Sequence, residues 1–230
     1  MMRFIIPTYN EEKNIGSLVE NTKKFAESRG YEYQIIIIND GSTDNTMNLL
    51  EDLQKKTPIV ILDQVINKGV GEAFKRGLGY AAEVSRDEDI IVTKEADNTS
   101  DLSILDAMIE KIKEGNSLVL ASCYMPGGGV SSTSIYRRIL SSGANLLLKI
   151  VSPVKGIHTF SSFYRAYSAD LIKKAHSIYG DTLIEEEGFS CMVELLIKLA
   201  KLLDRAEKLS MKSSKNAEFL LILKNPVMFS

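Results

Sequence analysis

Short runs of apolar residues punctuate the chain and predict the strands of a buried sheet. Four consecutive isoleucines lie within Tyr33–Ile38, and a polar turn follows them. A run of this length and β-branched content is typical of a parallel strand that is buried on both faces. Phe4–Ile6 and Ile90–Val92 are shorter runs of the same kind, and Pro7 is expected to end the first of them.

Between these runs, apolar residues recur at helical spacing. The first such stretch predicts a helix over Glu11–Ser28, with Asn10 as its N-cap. Later stretches predict further helices: from about Thr43 to Lys55, from Asn67 to about Glu83, Leu102–Glu114, Ser134–Val151, Ser168–His176 and Phe189–Leu203. The remaining predicted strands are Ile59–Leu62, Ser117–Ser122 and Phe163–Tyr167. Strands that alternate with helices at βαβ spacing predict an α/β protein with a doubly wound, mostly parallel central sheet flanked by helices.

Length and composition narrow the class of protein. The chain has 230 residues, 44% of them hydrophobic, which suits one sizeable α/β domain or two small ones. A net charge of −2 gives no basic surface for a nucleic-acid partner. Cys123 and Cys191 lie far apart, which favours a reducing compartment. No run approaches the roughly 20 apolar residues of a membrane-spanning helix. We therefore expect a cytoplasmic protein that meets a membrane only from the side.

Three polar loops follow successive predicted strands. They are Pro7–Glu12, Asn39–Asp44 and Asn67–Gly71, and each lies at the carboxyl end of its strand. Open α/β sheets bind their ligands at this edge. Each loop alone is equally well explained as a turn with a helix cap. The glycines of Asn67–Gly71 do not complete a dinucleotide fingerprint, because Phe74 stands where a third glycine belongs.

An acidic pair follows the Ile90–Val92 run. Glu95 and Asp97 are separated by one residue, and alternate residues of an extended segment point the same way. Their carboxylates can therefore converge on one hard cation. Acidic residues beyond a strand are also common as plain surface, and Asp101 is expected to cap the following helix.

Taken in order and at this spacing, the motifs resemble glycosyltransferase family 2. The resemblance covers roughly residues 3–200 and is greatest to dolichyl-phosphate and polyprenyl-phosphate mannose synthase-like sugar transferases. It is carried by four segments: Pro7-Thr8-Tyr9-Asn10-Glu11, Asn39-Asp40-Gly41-Ser42-Thr43-Asp44, Asn67-Lys68-Gly69 and Glu95-Ala96-Asp97. The family has the GT-A fold, a Rossmann-like sheet in which a nucleotide-sugar lies over the carboxyl edge. The resemblance implies a GT-A domain over residues 1–205, followed by a tail over 206–230.

The resemblance also implies how the donor is held. Glu95 and Asp97 correspond to the family's metal-binding pair, which holds Mg²⁺ or Mn²⁺ at the donor diphosphate. Glutamate replaces the first aspartate here, which keeps the charge but shifts the carboxylate by about a bond length. The donor nucleotide is expected to contact the strand-end residues Pro7, Tyr9, Glu11, Asp40, Lys68 and Gly69.

Basic residues in the second half match the family's acceptor and leaving-group positions. Arg137 and Ser141 correspond to residues presented to a lipid phosphate, and their i, i+4 spacing places both on one helix face. A solvated helix face is the alternative for this pair. Arg165 is the counterpart of an arginine that neutralises the departing diphosphate. Cys123 stands where relatives often have arginine, which removes one phosphate contact.

The implied reaction is an inverting, metal-dependent transfer of a sugar from GDP-mannose or a UDP-sugar to a polyprenyl or dolichyl phosphate. Such a protein is expected on the inner face of the membrane. A phosphate monoester is already an anion at neutral pH, so this acceptor needs no strong base. Two alternatives stay open. One is transfer to a sugar hydroxyl in cell-surface polysaccharide synthesis, with a base from Glu185–Glu187. The other is a non-catalytic nucleotide-sugar-binding domain.

Overall fold

The computed structural model describes residues 1–122, 162–210 and 221–224. Within these ranges the strands are β1 (Met2–Thr8), β2 (Tyr33–Asp40), β3 (Ile59–Gln64), β4 (Ile90–Thr93), β5 (Leu118–Ser122), β6 (Arg165–Ser168) and β7 (Leu221–Lys224). The α-helices are α1 (Ile15–Ser28), α2 (Thr46–Gln54), α3 (Val70–Val84), α4 (Leu105–Lys113), α5 (Ala169–Tyr179) and α6 (Cys191–Ser210). Short 3-10 helices cover Leu102–Ile104 and Gly180–Leu183.

The described strands form one sheet in the order β3-β2-β1-β4-β6-β5-β7. Neighbours are parallel from β3 through β4, and β7 lies parallel to β5. β6 is antiparallel to both β4 and β5. The sheet is therefore mixed and mostly parallel, which confirms the predicted fold class. Consequently, the carboxyl ends of β1, β2 and β4 lie side by side at one edge.

Apolar residues cover both faces of the sheet. Ile36 and Ile38 of β2 belong to one core cluster, together with residues of α3, α5 and α6. Ile35 and Ile37 belong to the other, together with residues of α1, α2 and α4. The predicted burial of the isoleucine run on both faces is confirmed, because successive strand residues point to opposite sides. Helices on both faces make the sheet doubly wound.

Pro7 does not end the first strand, as the sequence suggested, but lies within β1. The carbonyl oxygen of Ile5 accepts a hydrogen bond from the backbone N–H of Lys94, so Ile5 faces β4. Pro7, two residues on, faces the same side, where pairing with β4 has already ended at Thr93. The missing N–H of proline therefore costs no hydrogen bond of the sheet.

Asn10 does not cap α1, which begins only at Ile15. Asn10 has a left-handed φ of 54°, and its side-chain oxygen accepts from the backbone N–H of Thr43 at 2.8 Å. The predicted cap thus ties the loop after β1 to the loop after β2. The predicted cap at Asp101 is confirmed, because its carboxylate accepts from the backbone N–H of Ser103.

Part of the predicted second half lies outside the described residues. This includes the predicted helix Ser134–Val151 with Arg137 and Ser141, and also Cys123. Helix α6 continues through Ser210, and residues 221–224 pair with β5. The division into a domain over 1–205 and a tail over 206–230 stays a prediction. In the described part of the chain, no helix is long and apolar enough to cross a membrane.

Candidate functional site

A cleft of about 500 Å³ opens at the carboxyl edge of the sheet. The ends of β1, β2 and β4 form its floor, and the segment 187–189 before α6 forms one wall. Residues that the sequence assigned to the donor and the metal line this cleft together: Pro7, Tyr9, Glu11, Asp40, Gly69, Glu95 and Asp97. Four motifs that are far apart in the sequence therefore share one cavity.

The loops after β1 and β2 are fastened to each other beside this cleft. The backbone N–H of Glu11 donates to Thr46 Oγ1 at 2.8 Å, and that of Glu12 donates to Asp44 Oδ2 at 3.1 Å. In return, the Glu12 carboxylate accepts from the N–H of Asn45 at 3.0 Å. These reciprocal bonds hold Tyr9, which is 46% exposed, at the cleft wall. A half-exposed aromatic ring on a fixed loop is suited to stack on a flat ligand.

Asp40 lies at the end of β2 and is buried. Its two carboxylate oxygens accept from the backbone N–H groups of Lys68 (2.8 Å) and Gly69 (3.0 Å). Gly69 has a φ of 90°, a backbone conformation that favours glycine, and α3 begins directly after it. Asp40 therefore fixes the loop that precedes α3, a role that the sequence did not reveal.

The acidic pair lies just beyond β4. Glu95 accepts from Ser100 Oγ at 2.9 Å, and Asp97 accepts from Thr99 N–H and Oγ1 at 3.0 and 2.7 Å. Burial raises the pKa of Glu95 above its ordinary value. Asp97 is exposed to the cleft. Paired carboxylates are the oxygen donors that Mg²⁺ and Mn²⁺ prefer, so these residues fit such an ion. Among the described residues, no group of three or more His, Cys, Asp or Glu side chains is arranged to hold a metal.

Lys94 lies between β4 and the acidic pair and also lines the cleft. Its side chain is fully buried, and Nζ has no hydrogen-bond partner among the described residues. Burial lowers the pKa of Lys94 to about 8, although the charges of Glu95 and Asp97 oppose this shift. The sequence motifs gave no reason to single out this residue. Its only signal was a lysine placed directly after a buried strand.

One wall of the cleft is built around two aromatic rings. Phe189 is 74% exposed and stacks on Phe163, with ring centroids 5.5 Å apart and planes 6° apart. This wall approaches α3 closely, because the N–H of Gly71 donates to the carbonyl of Glu187 at 2.9 Å. A Cβ atom at Gly71 would lie 1.8 Å from the carbonyl oxygen of Glu186. Only glycine therefore permits this contact without a shift of the backbone.

Two of the predicted site residues that the structure describes do not line the cleft. Arg165 is fully buried in β6, and its Nε donates to the carbonyl of Ser162 at 2.7 Å. Burial lowers the pKa of Arg165, and neighbouring Tyr167 opposes the shift. Lys68 is exposed and lines a neighbouring cavity beside the segment 184–188. The roles that the resemblance gave to these residues stay predictions.

The fold and the cleft define a class: an α/β protein with the GT-A fold, whose loops converge at the carboxyl edge of the sheet. The model of the family described as glycosyl transferase family 2 matches residues 4–175. This chain belongs to that family, which confirms the resemblance found in its motifs.

Relatives of established name are similar over most of this chain. This chain is 28% identical over 195 residues to a dolichol-phosphate mannosyltransferase from Pyrococcus furiosus. The aligned region covers 84% of this chain and 51% of that protein. It is 26% identical over 193 residues to a polyprenol monophosphomannose synthase from Mycolicibacterium smegmatis, covering 83% of this chain and 69% of that one. The chain thus spans about half the length of the Pyrococcus protein.

A solved structure of a glucosyl-3-phosphoglycerate synthase from Mycobacterium tuberculosis is similar in fold. Its TM-score is 0.59 at 21% identity, and the match covers 97% of this chain and 71% of that one. At this level of identity the likeness concerns the fold alone.

Proposed function

We propose that this chain transfers a sugar from a nucleotide-sugar, GDP-mannose or a UDP-sugar, to a polyprenyl phosphate, with inversion at the anomeric carbon. The observation that carries the proposal is the cleft itself. It gathers Tyr9, Asp40, Glu95 and Asp97 at the carboxyl edge of a family 2 sheet. The similarity to a dolichol-phosphate mannosyltransferase and a polyprenol monophosphomannose synthase supports the choice of acceptor.

On the donor side, the nucleoside would lie against the loops after β1 and β2. Tyr9 offers a ring for stacking, and Glu11 and Asp40 offer oxygen atoms to base or ribose donors. Because these loops are hydrogen-bonded to each other, they hold these groups in place before the donor arrives. Such preorganisation lowers the ordering cost of binding.

A divalent cation, Mg²⁺ or Mn²⁺, would be held by Glu95 and Asp97. When bound, such an ion neutralises charge that develops on a leaving diphosphate. The M. tuberculosis synthase of similar fold has been crystallised with Mn²⁺, UDP and phosphoglyceric acid, which supports divalent-metal use in this fold. Asp97 is the more accessible of the two carboxylates, so we assign it the larger role.

The acceptor oxygen would attack the anomeric carbon from the side opposite the departing diphosphate. A lipid phosphate brings its own negative charge at neutral pH, so the chain need not supply a strong base. By resemblance, Arg137 and Ser141 would hold this phosphate. That assignment stays a prediction, as does a location on the inner face of the membrane.

A sugar hydroxyl is the second candidate acceptor. Glu187 lines the same cleft as Glu95 and Asp97. A carboxylate in that place is the group that a hydroxyl acceptor would need as its base. The two acceptors therefore differ in whether Glu187 is required.

The test is a panel of radiolabelled nucleotide-sugars, each incubated with polyprenyl phosphate and Mn²⁺ or Mg²⁺. Label extracted into organic solvent identifies the lipid product. Label that stays in the aqueous phase on an oligosaccharide, and is lost in Glu187→Gln, identifies the hydroxyl acceptor. Donor binding without any turnover identifies a nucleotide-sugar-binding domain and contradicts both reactions.

We expect Asp40→Asn to weaken the affinity for the nucleoside diphosphate by about 10-fold, the scale of one hydrogen bond to a charged group. An asparagine side chain at this position has only one of the two oxygens that accept from Lys68 and Gly69, so the loop beside the cleft would loosen. Isothermal titration calorimetry measures the change. Asp52→Asn, an exposed aspartate in α2 that does not line the cleft, is the matched control. Equal affinities in both variants would give Asp40 a purely structural role.

A further inference from the structure

Lys94 is a buried cation that faces the donor cleft. It follows directly on β4, has 0% exposure and lines the cavity. Its Nζ is buried without a hydrogen-bond partner among the described residues. No carboxylate in the described part of the chain forms a salt bridge with it. A buried, unpaired ammonium is costly for folding, since it has left water without gaining a partner. Residues of this kind are typical of sites where a ligand supplies the opposite charge.

The charges of the cleft show which ligand group that is. Among its described lining residues, the acidic ones are Glu11, Asp40, Glu95, Asp97 and Glu187, and Lys94 is the one basic residue. A nucleoside diphosphate brings further negative charge into this acidic cavity. Like charges repel strongly where water is partly excluded. The diphosphate therefore needs cations within the cleft, and Lys94 is the described lining residue that supplies one.

The position of Lys94 relative to the acidic pair, Glu95 and Asp97, supports the same assignment. Glu95 and Asp97 are its near neighbours in sequence and line the same cavity. The charges of both carboxylates also act on the ammonium of Lys94, so a cation held by these two carboxylates would lie close to it. A diphosphate has several anionic oxygens and can contact both at once.

We propose that Lys94 is a donor-binding residue whose ammonium contacts the diphosphate of the bound nucleotide-sugar. This inference rests on the proposed function, because it takes the ligand of the cleft to be a nucleotide. It adds that the chain itself supplies part of the charge that the diphosphate needs. Nucleoside diphosphate binding should therefore persist in part without a divalent metal, and that metal-independent part should depend on Lys94.

The test compares binding of GDP and UDP with binding of guanosine and uridine, by calorimetry in the presence of a chelator. Lys94→Met keeps the length of the side chain and removes its charge. We expect it to weaken the affinity for whichever diphosphate binds by about 10- to 100-fold. Its affinity for the matching nucleoside should stay within about 2-fold of the wild-type value, since a nucleoside has no phosphate for Lys94 to contact. Lys55→Met, an exposed lysine at the end of α2, is the matched control and should leave both affinities unchanged.

Thermal denaturation provides a second measurement. Because Nζ of Lys94 has no described partner, Lys94→Met should keep or raise the melting temperature. If that variant is insoluble, Lys94→Gln allows the same comparison of nucleoside with diphosphate. An equal loss of affinity for both ligands would overturn the proposal and make Lys94 a structural residue. Unchanged diphosphate affinity would overturn it while leaving the proposed function intact. Failure of the wild-type chain to bind either diphosphate in the presence of chelator would overturn this inference. Failure to bind either diphosphate with Mn²⁺ present as well would overturn the proposed function too.

Discussion

Replacing Asp97 with asparagine is expected to lower kcat/KM for sugar transfer by about 100-fold, equivalent to about 2–3 kcal/mol of transition-state stabilisation. Asp97 is the exposed member of the acidic pair, and it lines the cleft beside the half-buried Glu95. Asparagine keeps the shape of the side chain and its capacity to accept from Thr99, but removes the charge that a divalent cation needs. The initial rate of labelled lipid formation measures the loss.

Asp52→Asn is the matched control for this experiment. Asp52 is an exposed aspartate in α2 that pairs with Lys55, and it does not line the cleft. Its substitution should leave the rate unchanged. Direct titration with Mn²⁺ adds a measurement that does not depend on turnover, and Asp97→Asn should bind the ion more weakly. Full activity of Asp97→Asn in the presence of a chelator would remove the metal assignment from this residue.

Asp89→Ala is expected to lower the free energy of unfolding by about 3 kcal/mol or more. Asp89 lies just before β4 and is 3% exposed. Its carboxylate accepts from the guanidinium of Arg3 at 3.3 Å and from the backbone N–H of Arg86 at 3.0 Å. Alanine would leave the buried guanidinium of Arg3 without a counter-charge, which is more costly than the loss of one surface contact. Urea denaturation followed by circular dichroism measures the change.

Asp87→Ala provides a close comparison, since it removes the same side chain two positions away. Asp87 pairs with Lys173, but its side chain is 70% exposed. An exposed pair of this kind contributes at most about 1 kcal/mol. The difference between the two variants therefore measures the combined effect of burial and of the additional contacts that Asp89 makes with Arg86 and the N-terminal ammonium. Equal destabilisation by both would show that the Arg3–Asp89 pair does not have the energetic weight assigned to it.

The fold class follows directly from local patterns in the sequence. The isoleucines of β2 pack on both faces of the sheet, as the unbroken apolar run predicted. The run that forms β4 occupies Ile90–Thr93, close to its predicted extent. Such patterns are readable because a strand buried on both faces needs apolar residues at every position. The order of the strands is different in kind. Nothing in the local pattern of β6 indicates that it lies antiparallel between β4 and β5.

The site could be predicted only as a set of motifs. Loops that follow parallel strands must meet at one edge, so the sequence could bring Tyr9, Asp40 and Asp97 together. It could not assign what each side chain contacts. Asp40 accepts from two backbone N–H groups of the loop before α3, and their residues lie 28 and 29 positions later in the sequence. Arg165, which the family resemblance placed at the diphosphate, is buried in β6 away from the cleft lining.

The sequence by itself determined the alternation of strands and helices, the two-sided burial of the central strands and the edge at which polar loops collect. These features depend on hydrophobic periodicity and chain direction, which are local properties. Only the tertiary structure decided that Lys94 is buried without a described partner in an acidic cleft. It also decided that the backbone of the segment before α6 packs closely against Gly71. The burial of Lys94 and the contact at Gly71 both depend on how closely segments that are distant in the sequence pack together. This packing sets the free energy of burying a charge or a backbone group.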